Sequence, residues 1–228
     1  MVAKILTVAP IGFDGSIIEV ECDINKGLPG LQIVGLGSKT VDEARDRVRS
    51  AINNSNLDFI RRKITINLAP AEIPKNGTHY DIPIALAILA VSGQLKPKDT
   101  DNCIFAGELS LDGSIRAIRG GINIVQTALD NGYKDIFIPE ANARQASLIK
   151  GINIYGVSSL KQLFLHLKGE CLITKTKNIR AKTELTNKPY PALDDIIGQD
   201  QAKRALIIAA AGHHNILFKG PPGTGKTM

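Results

Sequence analysis

Gly220, Pro221, Pro222, Gly223, Thr224, Gly225, Lys226 and Thr227 follow the pattern G-x-x-x-x-G-K-[ST], the spacing of a phosphate-binding loop. Gly223 and Gly225 let main-chain N–H groups turn toward phosphate oxygens, where a side chain would obstruct them. Lys226 would reach the β- and γ-phosphates of ATP, and the Thr227 hydroxyl would ligate Mg²⁺. Such a loop works at the N-terminus of a helix whose amides and dipole face the anion. Here only Met228 follows it. No later acidic strand end holds the metal or orients water, and residues 191–228 are too few for a core of their own. The chain therefore reads as the front part of a longer protein. ATP and Mg²⁺ are expected as cofactors of that complete protein; this chain alone is expected neither to bind them tightly nor to hydrolyse ATP.

Other residues with chemical potential are weaker candidates. His79 stands between Thr78 and Tyr80 in a polar stretch and reads as a surface or turn residue. His213 and His214 have no Cys or carboxylate at ligand spacing, which argues against a metal site. Cys22, Cys103 and Cys171 form no CxxC pair and read as reduced cytoplasmic thiols. Arg45, Arg47 and Arg49, with Arg61, Arg62 and Lys63, could touch phosphates. Asp42, Glu43 and Asp46 are interspersed, however, and Glu43 stands four residues before Arg47, so a solvated helix is the favoured reading.

Composition narrows the classes. The net charge of +6 is concentrated between Lys168 and Lys188, where six basic residues face only Glu170 and Glu184. A basic face across the rest is not implied. Without Trp and with 4% aromatic residues, the chain is poorly equipped to stack single-stranded bases. The longest apolar run, IPIALAILAVSG, is too short for a bilayer and contains Pro83, and MVAKILTVAP lacks the features of a signal peptide. No membrane partner is expected.

The elements that would position these residues follow from periodicity. SIIEVECDI, LQIVGLG and KITINLA read as strands. TVDEARDRVRSAI places Val41, Ala44, Val48 and Ala51 on one helical stripe with Thr40 as N-cap. Asp81 could cap a helix through IPIALAILAV, with Pro83 in its first turn. CIFAGELSLDGSIRAI reads as strands with a tight turn at Asp112–Gly113. Helix after Gly120–Gly121, strand DIFIP, helix ANARQASLI, strand NIYGV and helix LKQLFLHL complete an α+β or α/β domain over residues 1–168. Residues 169–190 are polar and basic and read as a linker closing on Pro189 and Pro191. Beyond it, QDQAKRALIIAAAG is helical, with Ala202, Leu206 and Ala209 on one stripe and Gly212 as its stop, and NILFKG reads as a buried strand entering the loop.

Three blocks, GLPGLQIVGLGSKTVDEARDRVRSAI, ITINLAPAEIPKNGTHYDIPIALAILAVSGQL and AGELSLDGSIRAIRGGI, resemble the N-terminal domain of the YifB/ComM family of magnesium-chelatase-like AAA+ ATPases. DDIIGQDQAKRALIIAAAGHHNILFKGPPGTGKTM is similar to the start of that family's ATPase module, so residues 191–228 are taken as its first part. Two departures are local. GLGSKT stands where the family usually has a Gly-Leu-Pro-Asp turn, and His213 replaces a second glycine. The resemblance implies a hexameric ring ATPase acting on DNA, as in branch migration during natural transformation. It also implies that Ile196, Ile197 and Gly198 line the adenine side of the nucleotide pocket, although isoleucines near a helix start can equally be core.

The first domain is similar as well to the Lon protease catalytic domain, which has the ribosomal S5 domain 2-like fold. The Lon nucleophile motif, Lys-Asp-Gly-Pro-Ser-Ala-Gly, aligns with Lys75 to Asp81, so His79 takes the serine position. The Lon lysine follows a Gly-Gly-Leu motif, which aligns with Gly120, Gly121 and Ile122 and leaves Asn123 in its place. A serine–lysine peptidase needs a hydroxyl and an amine that accepts its proton; neither is present. Ser92 with Lys96, or Ser110 with Lys134, does not follow the motif. Peptidase activity is rejected, which leaves a non-catalytic accessory domain of a DNA-acting ATPase or a protein-recruitment module.

Overall fold

A computed structural model describes residues 2–12, 14–177 and 193–221. Chain contacts divide it into two units, Met1–Ala181 and Lys182–Met228.

The first unit is built on a seven-stranded mixed sheet in the order β3-β4-β2-β1-β5-β8-β9. Strands β1 (Ala3–Ile11) and β2 (Asp14–Asn25) form an antiparallel hairpin in register from Ala3↔Cys22 to Ile11↔Asp14. β4 (Lys63–Ala69) runs antiparallel to β2 and parallel to the edge strand β3 (Gly30–Val34). On the other side, β5 (Cys103–Phe105), β8 (Asp135–Pro139) and β9 (Asn153–Val157) continue the sheet in parallel. Four of the six pairings are thus parallel, and helices cover both faces, as parallel strands require.

β1 shows why. Its Ile5 and Ala9 enter one core with the buried residues of α2 (Ala44–Asn54), α3 (Asp81–Val91) and α6 (Leu160–Leu167). Its Val8 points the other way, into a second core with Ile124, Val125 and Ala128 of α4 (Gly121–Asp130) and Ala143 and Ala146 of α5 (Glu140–Ala146). A strand buried on both faces has no polar alternation, and the MVAKILTVAP stretch carried no strand signal for that reason. Helix α3 is buried from Asp81 through Leu89, so it also lacks a polar stripe. Each of its isoleucines and leucines contributes about 1.5–3 kcal/mol by leaving water.

Several boundaries differ from the sequence reading. The helix expected from Thr40 is split into α1 (Lys39–Asp42) and α2, and Ser38 rather than Thr40 holds the first N-cap position. Val41, Ala44, Val48 and Ala51 are nonetheless all buried. Asp81 is the first residue of α3 and its carboxylate caps nothing there, being engaged by Arg47 instead. The turn at Asp112–Gly113 joins a separate hairpin, β6 (Glu108–Leu109) with β7 (Ile115–Arg116). Gly113 has φ +85°, and a Cβ there would lie 2.3 Å from Ser55 Oγ, so only glycine fits.

The first residues of the expected linker lie on this unit. Ile173 N–H donates to His166 Nδ1 (2.9 Å), Thr176 N–H donates to the Ile154 carbonyl (2.8 Å), and Ile173 packs on the core. Residues 178–190 lie outside the described residues.

In the second unit, a 3-10 turn (Leu193–Asp195) precedes α7 (Asp200–Ala211), which ends at Gly212. Ala209 is buried and Ala202 and Leu206 are half-buried, the stripe that the spacing predicted. The strand expected at NILFKG is absent: residues 214–221 have no regular secondary structure. A strand needs a pairing partner, and the described residues of this unit contain none. Among the described residues, no helix is long and apolar enough to cross a membrane.

Candidate functional site

The two positions aligned with the peptidase dyad both meet the C-terminal end of β1. His79 Nε2 donates to the Val8 carbonyl (3.0 Å) and Asn123 Nδ2 donates to the Gly12 carbonyl (2.9 Å). His79 is not the surface residue its polar neighbours suggested. It is 4% exposed, and burial pushes its imidazole down to about 4, opposed by the bond to Val8. A neutral ring with its proton on Nε2 is a donor to main chain and offers no nucleophilic hydroxyl. Asn123, in the first turn of α4, is likewise a hydrogen-bond donor without a basic lone pair.

The turn that carries His79 is pinned on every side. Thr78 Oγ1 donates to Glu108, the ring of Tyr80 lies 4.0 Å from that of His79, and Gly107 N–H donates to the His79 carbonyl (2.9 Å). Asp81 accepts from Arg47 Nε (2.8 Å) and Nη2 (3.0 Å) and from Leu109 N–H (3.1 Å). Arg47 Nη2 also donates to the Thr40 carbonyl (3.0 Å). Burial pushes the Asp81 carboxyl up to about 6 in spite of the guanidinium beside it. The sequence paired Arg47 with Glu43, its neighbour on the helix; the structure turns Arg47 inward to Asp81. Of the three helix arginines, Arg47 is therefore a structural residue, while Arg45 and Arg49 remain on the surface.

Lys75, the first residue of the Lon-like motif, is buried, and its ammonium donates to the Pro70 carbonyl. Burial lowers its pKa. The hydroxyls of Ser38, Thr7 and Tyr80 are buried and have no partner among the described residues. Ser92 Oγ donates to Leu89 and Lys96 N–H to Asp99, so this pair makes capping and turn contacts. Ser110 bonds across the hairpin turn to Ser114.

In the second unit, α7 leads through Gly212 and His213 (φ +52°) to a segment without regular secondary structure that carries Gly220 and Pro221. Pro222, Gly223, Thr224, Gly225, Lys226 and Thr227 lie outside the described residues. Ile196 is half-buried, Ile197 is 96% exposed, and Gly198 has φ +74°. Among the described residues, no group of three or more His, Cys, Asp or Glu could hold a metal.

Comparison with known proteins adds to this geometry. The family described as subunit ChlI of Mg-chelatase matches residues 20–142, and that described as magnesium chelatase, subunit ChlI, matches residues 192–228. The chain is 45% identical over 222 residues to the uncharacterized protein YifB of Escherichia coli K12, covering 97% of this chain and 43% of the relative. It is 42% identical over 222 residues to competence protein ComM of Haemophilus influenzae, with 96% and 43% covered. Lon protease of Mesomycoplasma hyopneumoniae is 30% identical over 150 residues, covering 62% of this chain and 17% of that protease. The chain thus spans less than half the length of its YifB and ComM relatives.

Proposed function

The chain belongs to the ChlI family of magnesium-chelatase subunits, in its YifB/ComM branch, and on that premise we propose that it contributes the first part of a ring-forming, DNA-acting AAA+ ATPase. The observation that carries the reading is the G-x-x-x-x-G-K-[ST] loop inside the 192–228 family match. Its donor set suits a nucleoside triphosphate: glycines at 223 and 225 for close main-chain approach, Lys226 for the β- and γ-phosphates, and Thr227 for Mg²⁺. When bound, Mg²⁺ and ATP supply the reaction's driving step. Ile196, Ile197 and Gly198 are assigned to the adenine side.

In this reading residues 1–168 form a Lon-like accessory domain of the S5 domain 2-like fold, the start of the expected 169–190 linker docks on that domain through Ile173 and Thr176, and 191–228 are the start of the ATPase module. The assembly is a hexameric ring on DNA with a role in branch migration, in keeping with the competence protein among its relatives. Free Cys22, Cys103 and Cys171 suit a cytoplasmic location. The first unit has no peptidase role, because positions 79 and 123 hold main-chain carbonyls. A recruitment role for that unit is a second reading, supported by the open sheet edge described below.

The test is ATP hydrolysis by the full-length protein that carries this chain, with and without branched DNA. Hydrolysis stimulated by DNA and abolished in Lys226→Ala supports the proposal. Hydrolysis indifferent to DNA refutes the DNA-acting part, and hydrolysis that survives Lys226→Ala refutes the site.

A further inference from the structure

The central sheet has two edges, and the chain treats them differently. β9 is covered by the chain itself, through the Thr176 N–H bond to Ile154 and the packing of Ile173. No described segment pairs with the outer side of β3. Gly30 N–H donates to the Arg62 carbonyl (3.2 Å), which sets the phase of the β3–β4 ladder. Main-chain groups of alternate residues point to opposite sides of a strand. The peptide groups of Gly30, Gln32 and Val34 therefore serve β4, and those of Leu31 and Ile33 face outward.

An unpaired edge is a template for a further strand unless proline, a bulge or an inward charge blunts it. β3 reads Gly-Leu-Gln-Ile-Val and carries none of these. Leu28 beside it is 90% exposed, and Val34 and Leu36 are exposed as well. This edge borders a pocket of about 370 Å³ beside Gly30, lined by Lys26, Leu28, Leu31, Gln32, Lys63 and Ile64. Lys26, Arg61, Arg62 and Lys63 gather at its Gly30 end, all exposed, and none of them forms an ion pair among the described residues.

We propose that the β3 edge takes up an extended peptide segment of a partner protein as an eighth strand, with carboxylates at the Gly30 end and apolar side chains toward Val34. Three features select this occupant. Outward peptide groups need main-chain partners, the exposed Val34 and Leu36 need apolar ones, and the cationic end needs negative charge. DNA would answer the charge but would leave the peptide groups of Leu31 and Ile33 and the apolar Val34 and Leu36 unmatched.

The probe is an acetylated, amidated octapeptide, Val-Thr-Val-Thr-Val-Asp-Glu-Asp, titrated into the 228-residue chain while backbone amide signals and their hydrogen exchange are followed. The expected result is a shift at Leu31 and Ile33 with slowing of their exchange by about tenfold or more. Binding should weaken severalfold between roughly 50 and 300 mM salt. Lys26→Glu/Arg62→Glu, at exposed positions, should weaken it about fivefold or more with the remaining amide signals unchanged. Lack of protection at Leu31 and Ile33 overturns the proposal, as does displacement of the peptide by short duplex DNA. Protection that grows with protein concentration in the absence of peptide overturns it too, in favour of pairing between copies.

Discussion

Replacing Arg47 with methionine keeps the bulk of the side chain and removes its three donated hydrogen bonds, two of them to the fully buried Asp81. Removing one partner of a buried pair costs about 3–5 kcal/mol, because the other charge stays uncompensated. The Arg47 side chain keeps 19% exposure, so the lower end applies, about 3 kcal/mol. For a domain of this size each kcal/mol lowers Tm by about 2–4 °C, giving a drop of roughly 6–12 °C at pH 8. The pH dependence is the sharper test. Asp81 has a folded value of about 6, above the ordinary aspartate value of 3.8, so its contribution is fully present at low pH and declines as pH rises to about 6. Without Arg47 the folded value moves higher still, and the decline continues above pH 6, where the parent has levelled off. Near pH 4.5 both proteins hold a neutral Asp81, and the gap in Tm should fall below half its pH 8 value. Asp81→Asn added to Arg47→Met should recover part of the loss, since the buried charge is gone. Thermal unfolding by circular dichroism at pH 4.5 and 8 decides. Equal gaps at the two pH values, or a drop under about 2 °C at pH 8, refute the reasoning.

His79 predicts the opposite slope. Its folded value of about 4 lies below 6.5, so its contribution is present above about pH 6.5 and is lost as pH falls toward 4, by up to about 3 kcal/mol. Urea unfolding of His79→Gln between pH 4.5 and 7.5 should lack that component; an unchanged slope counts against the buried neutral imidazole. Thiol labelling should rank Cys171 far ahead of the other two, because Cys171 is exposed while burial pushes Cys103 to about 11 and Cys22 to about 12. Labelling of Cys22 in the folded chain at the rate of Cys171 contradicts the fold. Placing the peptidase pair by His79→Ser/Asn123→Lys should yield no hydrolysis of casein or a fluorogenic peptide; turnover above the parent's would show that the site is open.

How legible the molecule is in its sequence depends on how each element meets water. The α2 stripe of Ala44, Val48 and Ala51 was readable because the opposite face of the helix is solvated. β4 was readable because burial alternates along Lys63–Ala69. β1 was not, since neighbouring residues Ile5, Ala9 and Val8 are divided between two cores and leave no polar phase. Partners distant in the chain were beyond reach in the same way. The nearest acid to Arg47 in sequence was Glu43, whereas its partner Asp81 lies 34 positions away, and the carbonyl that turns His79 inward lies 71 away. NILFKG had the composition of a buried strand, but composition cannot supply the neighbouring strand that pairing requires.

The dyad positions show how a scaffold persists without its chemistry. A nucleophile has to be reachable by substrate, and its base has to stand beside it with a free lone pair. At 4% exposure His79 meets the first requirement no better than a core residue does. Its Nε2–H is committed to Val8, and a serine in its place would be too short to follow the imidazole to that carbonyl. An unsatisfied buried carbonyl costs about 1–3 kcal/mol, so the imidazole stabilises the same strand end that a catalytic serine would have left unsupported. Asn123 donates to the exposed Gly12 carbonyl, four residues along, where water could serve as well, so its bond orients the side chain more than it stabilises the strand. With both side chains tied to β1 and the residue that follows it, and with Arg47, Asp81 and Leu109 N–H fixing the start of α3, neither dyad position offers a substrate a nucleophile or a free base. What the first unit has to offer a partner is its outer surface, where the peptide groups of Leu31 and Ile33, unpaired among the described residues, carry a defined chemical demand.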